Sequence, residues 1–368
     1  MNVFELYYYI LTPDISKKDQ IAQYIRGRIR NNYYPAGKRL ESVRRLADEF
    51  NVSLKIVTDA LADLEMEGLV RREAGRGVFA EQGRRLLFVF IGGDIESPYH
   101  YYSPGVEERA KERRIQVDRL SLAFIRSNAG RNLARQFRRD YFGIIFDGYY
   151  MRGDEPEVAF FRETGLPVVL PHALTGDNDT TPFMVIHPDF RKAFSDGIRC
   201  LYQHGHSKIA TLTFDVDDAF RGYTKEEYLT FLRELGCETP EAFLVQTRYA
   251  ENAIAAGIAG LMRKKEKPTA LICVSDFFAM YAMKAMRRLE IRIPEDVSVM
   301  GFCGYPGGEA LEPPLSSVDM HYHDAGRLAV DTVCQPDSWF GKSAADRVII
   351  TPYTIIERKS IRELNRKD

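Results

Sequence analysis

The sequence predicts two parts: a small helix-turn-helix head with a β-wing over residues 1–80, and a large α/β body over 86–360. Three observations predict this. The 368 residues make two or three domains at about 100–200 residues each. Ahead of residue 85 the apolar spacing is helical and closes in a pair of short strands. Beyond it, continuous apolar runs alternate with helical stretches, the pattern of parallel α/β sheets.

Composition narrows the class. With 45% hydrophobic and 28% charged residues, large cores can be buried and global disorder is excluded. No apolar run approaches the ~18 residues of a membrane span. The first residues, MNVFELYYYILTPD, lack a basic n-region and a small-residue cleavage site. The five cysteines, Cys200, Cys237, Cys273, Cys303 and Cys334, are scattered and odd in number. They read as reduced residues of a cytoplasmic protein. Net charge is −1, but residues 1–85 hold 15 basic against 12 acidic side chains, +3, leaving −4 for the rest. A basic head on a slightly acidic body suggests a module that contacts DNA.

In the head, Ile21, Ile25 and Ile29 form a helical stripe from Asp19 to Arg30, and Pro35 and Gly37 then turn the chain. Ser42 can cap a short helix with Val43, Leu46, Ala47 and Phe50 inward. Asn51-Val52 turns, and Ser53 caps a longer helix running to about Glu67, with Ile56, Val57, Ala60, Leu61 and Leu64 inward. Gly68 stops it. Two short strands, 69–72 and 78–80, flank the turn Ala74-Gly75-Arg76-Gly77. This order is a winged helix-turn-helix. Leu54, Lys55, Thr58, Asp59 and Ala62 face outward for a major groove, and Arg76 sits between Gly75 and Gly77, where backbone can approach a phosphate closely. The Tyr7-Tyr8-Tyr9 start is expected to pack on the first helix.

The head resembles the GntR family. The residues that carry the resemblance are Tyr34-Pro35-Ala36-Gly37 with Leu40, Ser42-Val43-Arg44-Arg45-Leu46-Ala47, Val52-Ser53, Leu64-Glu65-Met66-Glu67-Gly68 and Gly75-Arg76-Gly77. The resemblance implies DNA binding through Ser42, Arg44, Arg45, Ser53, Lys55, Thr58, Gly75, Arg76 and Gly77, with Arg44 foremost. Three positions depart from the family pattern. Leu54 and Thr58 stand where the family places arginines, and Glu41 stands where it places a proline. Direct readout favours arginine for guanine, so only Lys55 and Thr58 remain on this helix to read bases.

In the body, after a linker at 81–85, apolar runs recur at 86–91, 142–146, 167–170, 183–186, 208–212, 270–274 and 297–300. Helical stretches at 105–114, 193–204, 225–235, 253–263 and 277–289 separate most of them. About 275 residues exceed one sheet, which predicts two subdomains with ligands at the carboxyl ends of strands. No GxGxxG or GxxxxGK[ST] follows a strand; Gly92-Gly93-Asp94 is the nearest approach and reads as a turn. No GxSxG or HExxH occurs, and His321-Tyr322-His323 has no third metal ligand in view. No cofactor, metal or catalytic residue is implied.

The body resembles the LacI/GalR regulators. Here the matching text is His204-Gly205-His206-Ser207-Lys208-Ile209-Ala210, Val274-Ser275-Asp276-Phe277-Phe278-Ala279, Ile293-Pro294-Glu295-Asp296-Val297-Ser298-Val299-Met300-Gly301-Phe302, Pro313-Pro314-Leu315-Ser316-Ser317-Val318 with Gly326-Arg327-Leu328-Ala329, and Glu357-Arg358-Lys359-Ser360. That resemblance implies a two-lobed periplasmic-binding-protein-like (type I) body. Lobe 1 would take about 86–186 plus 321–345, lobe 2 about 187–317 plus 346–360, and 361–368 would be a tail. A GntR-like head on such a body is similar to regulators of the arabinose-repressor type. The pairing implies a cytoplasmic homodimeric repressor that binds double-stranded operator DNA and a sugar-like effector, with no membrane partner. The alternative is a cytosolic small-molecule binder or enzyme whose head binds protein.

Effector residues follow from the same resemblance. Arg221 holds the family's effector-arginine position, with Tyr228-Leu229 following and Thr224 in place of a glycine. Cys303-Gly304 stands where the family has Asp-Asp, so the usual acceptor for sugar hydroxyls is missing beside Phe302. Tyr99 and Tyr101, after the first strand, can offer an aromatic face. His172 and Tyr322 are expected to line the cleft, Asp276 to cap a helix or touch ligand, and Asp147 and Asp189 to supply replacement acceptors.

Overall fold

The computed structural model describes residues 15–364 apart from 31, 32, 36, 82–84, 93–96, 128, 129, 131, 149, 150, 174, 175 and 215–220. The tyrosine run 7–9, most of the linker, residues 93 and 94 of the glycine turn and the last four residues of the tail lie outside the described residues.

The head folds as its spacing predicts. Helices α1 (Lys17–Arg30), α2 (Val43–Phe50) and α3 (Leu54–Met66) are followed by strands β1 (Val70–Glu73) and β2 (Gly77–Ala80). Ser42 Oγ accepts the Arg45 amide and Ser53 Oγ the Ile56 amide, the two caps that satisfy first-turn donors of α2 and α3. Asn51 ends α2 in the left-handed region, φ 50°. Ile21, Ile25, Leu46, Val57, Leu61 and Leu64 form the buried core between the helices. Strands β1 and β2 pair antiparallel from Val70↔Ala80 to Glu73↔Gly77.

The body holds two six-stranded sheets. The first runs β4-β3-β5-β6-β7-β13, made of Gln116–Ser121, Arg85–Phe90, Gly143–Phe146, Val168–Leu170, Met184–Pro188 and Val348–Thr351, all parallel. The second runs β9-β8-β10-β11-β12-β14, made of Leu244–Thr247, Ile209–Phe214, Ala270–Cys273, Ser298–Cys303, Ser316–Asp319 and Thr354–Ile356. Only β14 in it is antiparallel. The longer helices are α4 (Tyr99–Glu112), α5 (Pro156–Thr164), α6 (Phe190–Gln203), α7 (Lys225–Leu235), α8 (Glu251–Met262), α9 (Asp276–Arg288) and α10 (Tyr322–Val333). Parallel strands are buried on both faces, and so Leu86, Leu87, Phe88 and Val89 are all 0% exposed.

The chain passes between sheets three times: from β7 into α6, from β12 into α10, and from β13 into β14. The third passage corrects the expected lobe boundary. Val348–Thr351 pairs with Val185–Pro188 in the first sheet, rather than joining the second lobe. Its apolar residues Val348, Ile349 and Ile350 complete an edge that β7 would otherwise leave open. Five strands, β4, β9, β12, β13 and β14, and the helices α5 and α10 escaped the sequence reading. In β4 polar residues interrupt the apolar run, Gln116–Ser121, and β13 is only four residues long.

Candidate functional site

The head presents its basic residues unequally. Arg44 and Arg45 on α2 and Lys55 on α3 are exposed. Among the described residues, none of the three side chains makes an ion pair. The wing arginines are balanced instead. Arg76 pairs with Glu73 at 2.6 Å while its side chain stays 74% exposed. Arg71 pairs with Glu81 at 2.7 Å and also with Glu73. Among the described residues, positive charge without an ion pair therefore lies on α2, on the start of α3 and on the exposed Lys38 and Arg39 just before α2, rather than on the wing's Arg71 and Arg76.

On α3, Thr58 Oγ1 donates to the Leu54 carbonyl at 2.8 Å, and Arg72 from β1 donates to the Thr58 carbonyl at 2.8 Å. The Thr58 hydroxyl is thus turned back onto its own helix, and Lys55 is the outward donor there. Gly75 and Gly77 take φ of 74° and 116°. A Cβ at Gly77 would lie 2.7 Å from Nε of Arg39, a flexible side chain that can give way, so it is the positive φ that calls for glycine there. Glu41, the departure from proline, accepts the Tyr34 hydroxyl.

A second cluster forms where strand ends of the two sheets face one another. Arg221 reaches it with φ 49°. Its Nη2 donates to the Val274 carbonyl at the end of β10 and lies 3.4 Å from Cys303 Sγ. Its guanidinium lies 4.6 Å from the Phe302 ring centroid and 5.4 Å from that of Phe190. Cys303, at the end of β11, is buried with φ 100°, unusual for a side-chain-bearing residue. Burial raises its thiol pKa, against the pull of Arg221.

Aromatic rings close the space between the lobes. Tyr101 on α4 stacks on Tyr305, just past β11, at 4.2 Å and 24°. Tyr305 stacks on Tyr322, the first residue of α10, at 5.7 Å, and Phe277 flanks it at 5.2 Å. His172 stands edge-on to Tyr322 at 5.0 Å and to Phe190 at 5.4 Å. Burial, with Arg221 and His187 nearby, pushes the His172 pKa down to about 3, so its ring is neutral. His172 Nδ1 is buried and makes no hydrogen bond among the described residues, and the Tyr322 hydroxyl is buried against Cys303 and Tyr305.

The structure thus brings together Tyr101, His172, Arg221, Phe302, Cys303 and Tyr322. It holds Tyr99 apart. That ring packs on Phe88 at 5.5 Å and Phe90 at 5.4 Å. The reason is helical phase: α4 begins at Tyr99, earlier than the sequence reading had it, and two residues of helix carry Tyr101 onto a different face.

The carboxylates are committed elsewhere. Asp147 accepts the Tyr102 hydroxyl and the Ile91 amide, and burial raises its pKa. Asp189 caps α6 through the Lys192 amide at 2.9 Å. Asp276 accepts Ser317 Oγ and the Tyr305 amide, both at 2.6 Å, and burial pushes its pKa up to about 7. The cap of α9 is Ser275, one residue earlier. His321 and His323 do not converge: His321 Nε2 bonds Thr354 Oγ1 at 2.8 Å, while His323 Nε2 faces Glu108 at 3.0 Å.

Phe190, Phe277 and Tyr305 were missed by sequence reasoning. Tyr305 and Phe190 each lie two residues beyond a strand end, β11 and β7, which is the signal that could have found them. A cavity of about 390 Å³ lined by Phe161, Phe183 and Phe340 opens elsewhere, at the amino ends of β6, β7 and β13. Ligands of parallel sheets bind at the opposite ends, so the converging polar groups, not this cavity, mark the candidate site.

Comparison with known proteins matches two separate stretches of the chain. Residues 17–80 match bacterial regulatory proteins of the gntR family, and residues 198–361 match the periplasmic binding protein-like domain. The chain is 29% identical over 137 residues to the ribose operon repressor of Haemophilus influenzae, covering 37% of this chain and 41% of that protein. It is 28% identical over 165 residues to the HTH-type transcriptional repressor PurR of Vibrio atlanticus, covering 45% and 49%. The chain thus spans less than half the length of these curated relatives. In fold, it resembles a LacI family transcriptional regulator from Arthrobacter sp. FB24 solved in complex with lactose. That likeness has a TM-score of 0.60 at 20% identity, covering 76% of this chain and all of that one. Among the described residues, no helix is long and apolar enough to cross a membrane.

Proposed function

From a chain that carries a GntR-type helix-turn-helix domain ahead of a periplasmic-binding-protein-like domain, we infer a DNA-binding transcriptional repressor governed by a small molecule. The effector, a sugar or sugar derivative, sits between the two lobes and sets operator affinity. The protein is not an enzyme, works in the cytoplasm and acts as a homodimer, with two heads spaced to a two-fold operator.

One observation carries this reading. The same chain sets Arg44, Arg45 and Lys55 outward without ion-pair partners among the described residues, and gathers Arg221, Cys303 and an aromatic set at the strand ends where two lobes meet. The names of the relatives support it, since two are repressors and one neighbour in fold holds lactose. In the head, Arg44, Arg45, Lys55 and Arg76 take phosphates and base edges, with Ser42, Ser53, Thr58, Gly75 and Gly77 shaping the surface. In the cleft, Tyr101, His172, Arg221, Phe302, Cys303 and Tyr322 line the effector site. An effector shifts the lobe arrangement by no more than its differential affinity for the two states.

The test uses duplex DNA from around the protein's own gene, with binding followed by fluorescence anisotropy. Arg44→Ala is expected to weaken binding by about tenfold or more, a loss of 1.4 kcal/mol or greater. Unchanged affinity in that variant would remove the head from DNA recognition.

A further inference from the structure

We propose that the interlobe cleft selects a small molecule carrying a carboxylate or phosphate, seated on Arg221, over the corresponding neutral sugar. The proposal rests on reading that cleft as the effector site. A sugar hydroxyl donates one hydrogen bond and accepts others, so a site for a neutral sugar needs acceptors as well as donors. Here the nearby carboxylates are already hydrogen-bonded, and the acceptors that remain are neutral ones, the His172 ring nitrogen and tyrosine hydroxyls. Asp276 spends its two oxygens on Ser317 and the Tyr305 amide, and Asp147 on Tyr102 and the Ile91 amide. At Cys303, where β11 delivers a side chain to the site, there is a thiol.

Donors converge instead. Arg221 brings a guanidinium whose plane is set by the Phe302 and Phe190 rings and by the Val274 carbonyl. Beside it stands the hydroxyl of Tyr322, a residue 5% exposed. The positive field of Arg221 reaches His172, Cys303, Tyr305 and Tyr322. His172 is neutral and adds no charge of its own. Asp276, which also acts on Cys303, is buried enough to carry only part of a negative charge near neutral pH.

A fixed planar cation among donors matches an anionic group, which it can hold through charge-assisted and bidentate hydrogen bonds. Arg221 and Cys303 both hold left-handed backbone, φ 49° and 100°, the kind of strain that structures retain where a site over-determines it. The Tyr101, Tyr305 and Tyr322 rings supply the flat walls for the rest of the ligand.

The experiment is a melting-curve and calorimetric titration of the full-length protein with matched probes: galactose against galacturonate, and glucose against gluconate and glucose 6-phosphate. Inorganic phosphate and acetate, at ionic strength matched with chloride, complete the set. The expected result is that an anionic probe binds at least tenfold more tightly than its neutral counterpart. Arg221→Gln abolishes that preference and Arg221→Lys retains part of it, with both variants checked for native circular dichroism. A response to carboxylates alone names the carboxylate, and a response to phosphates alone names the phosphate. Anions also suit the basic head, so Arg44→Ala is the control. A preference lost there and kept in Arg221→Gln overturns the proposal, as does equal or tighter binding of a neutral sugar. In the latter case the cleft reading survives; if no probe of either kind binds, both fall together.

Discussion

Asp276 shows how burial turns a carboxylate into a structural part. It opens α9, yet its oxygens reach across to Ser317 on β12 and to the Tyr305 amide, tying three strand ends beneath the cleft. Burial raises its pKa from 3.8 to about 7. The folded state therefore binds a proton that the unfolded state releases between those values, so this group's contribution to stability falls as pH rises from about 4 to 7. Asp276→Asn should flatten that part of the profile of melting temperature against pH, measured by scanning calorimetry from pH 4.5 to 8. An unchanged profile would mean that Asp276 stays ionised. Cys303 illustrates the other side. A single residue at one strand end replaces an expected carboxylate with a buried thiol, and the balance of donors and acceptors in the cleft changes with it.

The helix pair α4 and α10 fixes the first lobe, and it does so through two glycines. A Cβ at Gly326 would lie 1.9 Å from the Tyr102 carbonyl oxygen, and one at Gly105 would lie 2.0 Å from that of His323. Backbone meets backbone at both points, so neither neighbour can swing aside. Gly326→Ala should therefore push the helices apart and cost about 1–3 kcal/mol or more, the usual range for overpacking. Chemical denaturation would show a lower midpoint, and a midpoint within error of wild type would mean that the pair is loosely seated. Tyr101 and Tyr322 begin these same two helices, so the substitution should also disturb the tyrosine stack. In the head, the elements were legible because each had its own local signals: Ser42 and Ser53 as caps, Asn51 and Gly68 as stops, and an apolar face at 3.6-residue spacing. The short edge strands β13 and β14 had none, and their place came only from the partner strand each one found.

At the scale of the whole molecule, charge is divided between the parts, and this bears on how the protein would hold DNA. Among the described residues, Arg44, Arg45 and Lys55 make no ion pair, while the wing arginines are balanced by Glu73 and Glu81. If two heads engage one duplex through those three side chains each, log affinity should fall against log salt with a slope of about −5, at roughly −0.9 per phosphate contact. Arg44→Ala should make that slope shallower by about 1 per head. A slope near zero would count against phosphate-anchored binding.

The sequence by itself determined the winged head, the alternation that makes two parallel sheets, and most of the polar residues around the cleft. Those properties are written in short-range periodicity, in caps and turns, and in which residues follow a strand's carboxyl end. Only the tertiary structure decided that Tyr101 rather than Tyr99 faces Tyr305, since a helix starting a few residues earlier rotates each side chain by about 100° per residue. Only it decided that Asp147, Asp189 and Asp276 are occupied, because hydrogen-bond partners such as Ser317 come from 41 residues away. Whether a carboxylate is free to meet a ligand depends on what the fold brings to its oxygens, and local sequence carries no record of that.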